Sequence, residues 1–151
     1  PVEDNLEVLE ENVKIFPYKN IDIFTCGLSD KNKDGTPIRL NSYAPGFNIF
    51  AAEMNNIRLP LRTIDYLVDS GEIEKINFLK LDVEGSEMAT LRGARNSIDR
   101  FKPKLAISIY HKPDDFFEII NYIKENHKYS KLSVDHYTVH REETVVYGLP
   151  Y

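Results

Sequence analysis

Acidic residues crowd one short stretch of the chain, Asp82-Val83-Glu84-Gly85-Ser86-Glu87. Asp82 and Glu84 are two positions apart, so their carboxylates point the same way if a strand persists through them. Gly85 lets the backbone turn tightly or approach a ligand. Glu87 falls in the first turn of a following helix, where the helix dipole favours a carboxylate. The same residues also read as ordinary helix caps. Two carboxylates by themselves do not specify a cation site, and no metal is assigned. A second candidate is His111, which ends a strand-like run and precedes a helix. A neutral imidazole there can take a proton from a substrate hydroxyl, or can be a hydrogen-bonded boundary residue. Ser29 and Asp30 follow another strand-like run. His136 and His140 flank the last turn and read as solvated or packed loop residues. Cys26 reads as a small buried apolar group.

These residues need elements to hold them. Asn77 to Val83 reads as a mostly apolar strand. Ser86 can cap a helix running through Ile98, with Met88, Leu91 and Ile98 on one stripe. Leu105 to Ile109 reads as a buried strand, and Pro113-Asp114 starts a helix with Phe116, Ile119, Ile120 and Ile123 on one face. The aromatic stripe of Phe116, Phe117 and Tyr122 reads as core. Lys131 to Tyr137 and Thr144 to Tyr147 read as a closing antiparallel pair.

Upstream, Asp4 or Asn5 can cap a first helix carrying Leu6, Leu9 and Val13. Ile21 to Cys26 is apolar and partly β-branched, which predicts a strand. Ser29 to Pro37 is rich in turn residues. Short strands are expected at Ile38 to Leu40 and Ile57 to Leu61, with a loop at 41–48. A short helix is expected after Thr63, with Gly71 as its stop. Strands alternating with helices indicate a mostly parallel sheet covered on both faces. In such a sheet ligands collect beyond the carboxyl ends of the strands, where Ser29-Asp30, Asp82 to Glu87 and Tyr110-His111-Lys112 all fall.

The bulk properties narrow the partners. The net charge of −5 disfavours a nucleic-acid surface. One cysteine allows no intrachain disulfide, which accords with a reducing, cytoplasmic location. No run approaches the roughly 18 apolar residues that a membrane span needs. A length of 151 residues fits one domain.

The run Phe78-Leu79-Lys80-Leu81-Asp82-Val83-Glu84-Gly85-Ser86-Glu87, followed by Leu91-Arg92-Gly93-Ala94, resembles the central signature of FkbM-type methyltransferases. The likeness continues through Lys102 to Pro113 and into the last two strands. It implies a class I methyltransferase fold, a Rossmann-like α/β three-layer sandwich. The implied sheet is mostly parallel with an antiparallel final strand, in spatial order 3-2-1-4-5-7-6. Phe78 to Val83 would be its fourth strand and Ile21 to Cys26 its third. The implied cofactor is S-adenosylmethionine, and the implied acceptor is a hydroxyl of a sugar or natural-product small molecule.

On that resemblance, Asp82, Glu84 and Gly85 would line the methionine side of the cofactor, and Ser29 and Asp30 the adenine side. His111 leads as general base, with Asp82 or Glu84 second, and His136 would shape the acceptor pocket. The chain departs from the pattern in one respect. It contains neither the first two strands nor a glycine-rich cofactor loop, so residues 1–151 are expected to form a partial methyltransferase domain that is inactive alone. A non-catalytic remnant acting as a partner-binding module, and a metal-dependent sugar-active enzyme using Asp82 and Glu84, are the alternatives from other classes.

Overall fold

The computed structural model of the protein describes residues 3–18, 20–37, 58–140 and 142–151. The strand expected at Ile38 to Leu40 and the loop expected at 41–48 lie outside the described residues. The chain divides into two compact units, one of Pro1–Gly27 and Lys33–Leu61, the other of Leu28–Asn32 and Arg62–Tyr151. Among the described residues no helix is long and apolar enough to cross a membrane.

The smaller unit opens with α1 (Glu3–Ile15), which begins before the expected caps Asp4 and Asn5 and holds both of them within its first turn. The strand expected at Ile21 to Cys26 does not form; only Gly27–Leu28 (β1) is a strand. A strand exists by virtue of its partner, and residues 21–25 make no ladder among the described residues. Ile21 and Phe24 are accordingly 40% and 37% exposed. The turn-rich segment is also corrected, because Lys33–Pro37 is β2. It pairs antiparallel with β3 (Arg58–Arg62), Thr36 opposite Leu59 and Lys33 opposite Leu61. The register slips between those pairs, where Gly35 takes a positive φ of 61°. The strand order is β1-β3-β2.

The larger unit holds a four-stranded sheet of β4 (Phe78–Leu81), β5 (Lys104–Ser108), β6 (Lys131–His136) and β7 (Thr144–Leu149). Its order is β4-β5-β7-β6. β4 and β5 are parallel, and β7 runs antiparallel to both β5 and β6. This is the 4-5-7-6 portion of the expected sheet, with the final strand reversed. Leu79, Leu81, Leu105, Ile107 and Val146 supply the sheet's share of the core. Ile64 and Val68 of α2 (Ile64–Asp69), Leu91 of α3 (Glu87–Gly93), Ile98 of α4 (Arg95–Phe101), and Ile119 and Ile123 of α5 (Asp115–Asn126) supply the rest. Each such side chain contributes about 1.5–3 kcal/mol by leaving water.

Thr63 caps α2 as its sequence suggests, its Oγ1 accepting from Tyr66 N at 3.0 Å. Gly71, at a φ of +82°, follows the end of that helix. The single helix expected from Ser86 to Ile98 is instead two, broken at Ala94. The break has a long-range cause. Asp65 of α2 accepts hydrogen bonds from Asn96 N at 3.1 Å and Ser97 N at 2.8 Å, capping a new helix start. Of the aromatic stripe on α5, Tyr122 packs against the core, but Phe116 and Phe117 are 41% and 66% exposed, and Ile119 and Ile123 are the fully buried residues of the apolar face.

Candidate active site

β4 ends at Leu81, so Asp82 and Val83 already belong to the connection, and the strand does not persist through Glu84. The chain reverses there because Glu84 and Gly85 both take positive φ, 52° and 92°. Glycine meets that demand freely, whereas glutamate does so at a cost of about 1 kcal/mol or more. Lys112 Nζ donates to Gly85 O across the turn. Its Cε would lie 3.2 Å from a β-carbon on Gly85, so the close approach of the two loops also favours glycine.

Ser86 occupies the cap position of α3 but its side chain makes no capping hydrogen bond. Glu87 instead ties down the turn that precedes the helix, its Oε1 accepting from Val83 N at 2.8 Å. Its side chain is fully buried, unlike those of Asp82 and Glu84, which are 32% and 86% exposed.

His111 enters from the end of β5. Ile109 N donates to Thr144 O at 2.9 Å, keeping the chain in register with β7 just beyond the strand. The buried Asp115 accepts from Lys112 N at 2.8 Å, which fixes the loop before α5. The imidazole is nine-tenths buried and lies among three carboxylates. Nδ1 is 2.9 Å from Glu87 Oε1, while Nε2 is 3.7 Å from Asp82 Oδ1 and 3.6 Å from Glu84 Oε2. Asp82 and Glu84 thus meet at one imidazole, although the strand that was to align them is absent.

The Tyr110 ring packs on His111 with centroids 4.2 Å apart, and its hydroxyl donates to Asp82 Oδ1 at 3.3 Å. Lys80 Nζ holds Asp82 Oδ2 at 3.2 Å. Burial acts to raise the Asp82 carboxyl, but hydrogen bonds from Ser108, Lys80 and Tyr110 and the Lys80 charge outweigh it and keep Asp82 below its ordinary range. Tyr110 is pushed up to about 12, first by burial and then by the charge of Asp82. Asp82 therefore stays ionised and Tyr110 stays a donor at neutral pH. Donor atoms of Asp82, Glu87 and His111 lie within 4.8 Å of one another, the one grouping among the described residues that could hold a cation.

The other expected residues lie apart from this cluster. Ser29 N donates to Arg62 O at 3.0 Å, and its Oγ reaches Asp30 Oδ1 at 3.2 Å. The Ser29 carbonyl packs against Gly93, at the end of α3 opposite Glu87. His136 ends β6 with Nδ1 2.8 Å from Thr144 Oγ1, and both His136 and His140 are exposed. Cys26 is half-buried. Sequence reasoning passed over His127, whose buried Nδ1 lies 3.0 Å from Asp99 Oδ1. His127 lines a surface cavity of about 580 Å³ with Ile120, Lys124, Leu132 and Val146, at the other end of α5 from His111. Glu87 was legible only as a first-turn acid, because nothing local shows that its carboxylate turns inward to a histidine from another strand.

The 4-5-7-6 sheet, with an acidic turn after its fourth strand facing a histidine after its fifth, defines a Rossmann-like α/β domain of the methyltransferase type. A family model described as the methyltransferase FkbM domain matches residues 1–131, and the chain belongs to that family. It is 33% identical over 92 residues to the hexuronic acid methyltransferase AglP of Haloferax volcanii, covering 60% of this chain and 36% of that protein. It also superimposes on the crystal structure of the methyltransferase FkbM from Methylobacillus flagellatus KT with a TM-score of 0.74 and 29% identity, covering 98% of this chain and 34% of that one. The chain thus spans about a third of the length of each relative.

Proposed function

We propose that this chain belongs to an S-adenosylmethionine-dependent O-methyltransferase acting on a hydroxyl of a sugar or a related natural product, located in the cytoplasm. The carrying observation is the nearly buried His111 at the carboxyl edge of the sheet, its Nε2 between Asp82 and Glu84. Likeness to a hexuronic acid methyltransferase supports a sugar as acceptor.

The residues present suit one end of the cofactor. Asp82, Glu84 and the Gly85 turn offer negative charge and close backbone approach to a cationic methionine moiety, and Ser29 and Asp30 would serve the adenine side. The chain has no GxG loop, so weak binding by residues 1–151 alone is expected. When bound, S-adenosylmethionine supplies an electrophilic methyl group.

This chain's own residues then orient the acceptor and move a proton. His111 Nε2 accepts the proton of the acceptor hydroxyl, and the charges of Asp82 and Glu84 stabilise the imidazolium that results. The partly shielded setting strengthens that interaction relative to bulk water. His136, at the carboxyl end of β6, would help shape the acceptor pocket.

The test is transfer of a labelled methyl group from S-adenosylmethionine to sugar acceptors, including uronic acids, by the full-length protein that carries this chain and by its His111→Ala variant. The variant should lose about 10²- to 10⁴-fold in turnover with cofactor affinity unchanged. Full turnover in His111→Ala would remove the base role, and no transfer to any sugar would remove the acceptor class.

A further inference from the structure

We infer that Glu87 is the positioning residue for His111: its buried carboxylate keeps the imidazole proton on Nδ1 and leaves the Nε2 lone pair turned toward the acceptor. The inference rests on the reading of His111 as proton acceptor and deepens it.

Three carboxylates compete for one ring, and burial decides among them. Glu87 is fully buried, Asp82 is 32% exposed and Glu84 is 86% exposed. A carboxylate removed from water is costly unless something donates to it, and its attraction for a proton donor is least screened. Asp82 already has donors in Lys80 and Tyr110, and Glu84 has water. Glu87 has Val83 N on Oε1, while its Oε2 is buried without a hydrogen bond.

His111 Nδ1 is likewise buried without an aligned hydrogen bond, although it lies 2.9 Å from Glu87 Oε1. Oε1 has a lone pair beside the one that faces Val83 N, and Oε2 has no donor at all, so this carboxylate has the capacity to accept an Nδ1–H that is otherwise buried without a partner. An Nδ1–H has Glu87 Oε1 at 2.9 Å as its nearest carboxylate oxygen. Nε2, at 3.6 Å and 3.7 Å from the two more exposed acids, is then the unprotonated nitrogen. Fixing one tautomer this way matters because the wrong one presents an N–H, not a lone pair, to the hydroxyl.

A merely structural Glu87 would only tie the turn together through Val83 N. Glu87→Gln separates the roles, since its amide oxygen can still accept from Val83 N while the charge is lost. The measurement is the ¹⁵N chemical shifts of His111 in the chain with neutral imidazole. The wild type should show a protonated Nδ1 and an unprotonated Nε2. Glu87→Gln should shift the ring toward the Nε2–H form and, in the full-length protein that carries this chain, lower turnover about 10²- to 10⁴-fold with little change in acceptor KM.

An Nε2–H tautomer in the wild type overturns the inference, as does an unchanged tautomer in a folded Glu87→Gln. Titration with Mg²⁺ or Zn²⁺ adds a third arm. A metal-induced shift of the His111 nitrogens that disappears in Glu87→Gln makes Glu87 a metal ligand and also overturns it. The expected tautomer together with full turnover in His111→Ala would sink the base reading while leaving the Glu87–His111 pairing intact.

Discussion

Asp65 and Ser97 are joined across 32 residues of sequence: Asp65 Oδ1 accepts from both Ser97 N at 2.8 Å and Ser97 Oγ at 2.7 Å. One carboxylate of α2 thereby satisfies the first turn of α4, and it is the reason a helix can begin anew immediately after Ala94. The break lets α3 carry Glu87 to the site while α4 follows the core.

Asp65→Ala should therefore destabilise the chain by about 1–2 kcal/mol, the loss expected for a helix cap. Urea unfolding measures it. Asp65→Asn, which keeps an acceptor oxygen, should cost less. Equal losses in the two variants would show that the side chain does not act as a cap.

Gly93 tolerates no side chain. A β-carbon there would stand 2.1 Å from the backbone oxygen of Ser29, which cannot swing aside as a flexible side chain could. Gly93→Ala should cost at least about 1–3 kcal/mol, the range for overpacking. Thermal unfolding reads the effect, and a wild-type midpoint would mean that the Ser29 turn moves freely.

Asp99 and His127 form a second carboxylate–imidazole pair at 3.0 Å, here on a fully buried side chain. Asp99→Ala leaves Nδ1 of that ring buried and unpaired, at an expected cost of about 1–3 kcal/mol. The pair lies beyond the far end of α5, so His111 chemistry should not respond. Unfolding of Asp99→Ala beside a wild-type His111 NMR spectrum checks both halves.

The Asp82 carboxyl is held below its ordinary value of 3.8 because its hydrogen bonds and the Lys80 charge outweigh burial. A depressed folded-state value means the stabilisation is present above 3.8 and lost as the pH falls through the folded value. Asp82→Asn should thus be less stable than the wild type at neutral pH, with the gap narrowing on acidification below that point. Denaturant titrations at stepped pH give the curve, and a gap independent of pH would contradict the assignment.

Much of this molecule was legible along the chain. The apolar run Phe78 to Leu81, the acidic turn, the buried Leu105 to Ser108 strand and the closing hairpin depend on periodicity and nearby turns, which are local properties. The motif from Asp82 to Glu87 and the position of His111 after a strand were visible for the same reason. Tertiary structure decided the rest. Lys33–Pro37 became a strand because Arg58–Arg62 pairs with it, and Ile21 to Cys26 did not because apolar residues alone supply no ladder. Phe116 and Phe117 stayed exposed although they follow a helical stripe, since burial depends on what packs against a face. A cap from Asp65 split one expected helix into two. Glu87, an ordinary first-turn acid in sequence, faces His111 only because two connections after two different strands fold toward each other. Pairing, capping and charge contact act through space, and their partners lie dozens of residues away, beyond the reach of any local pattern.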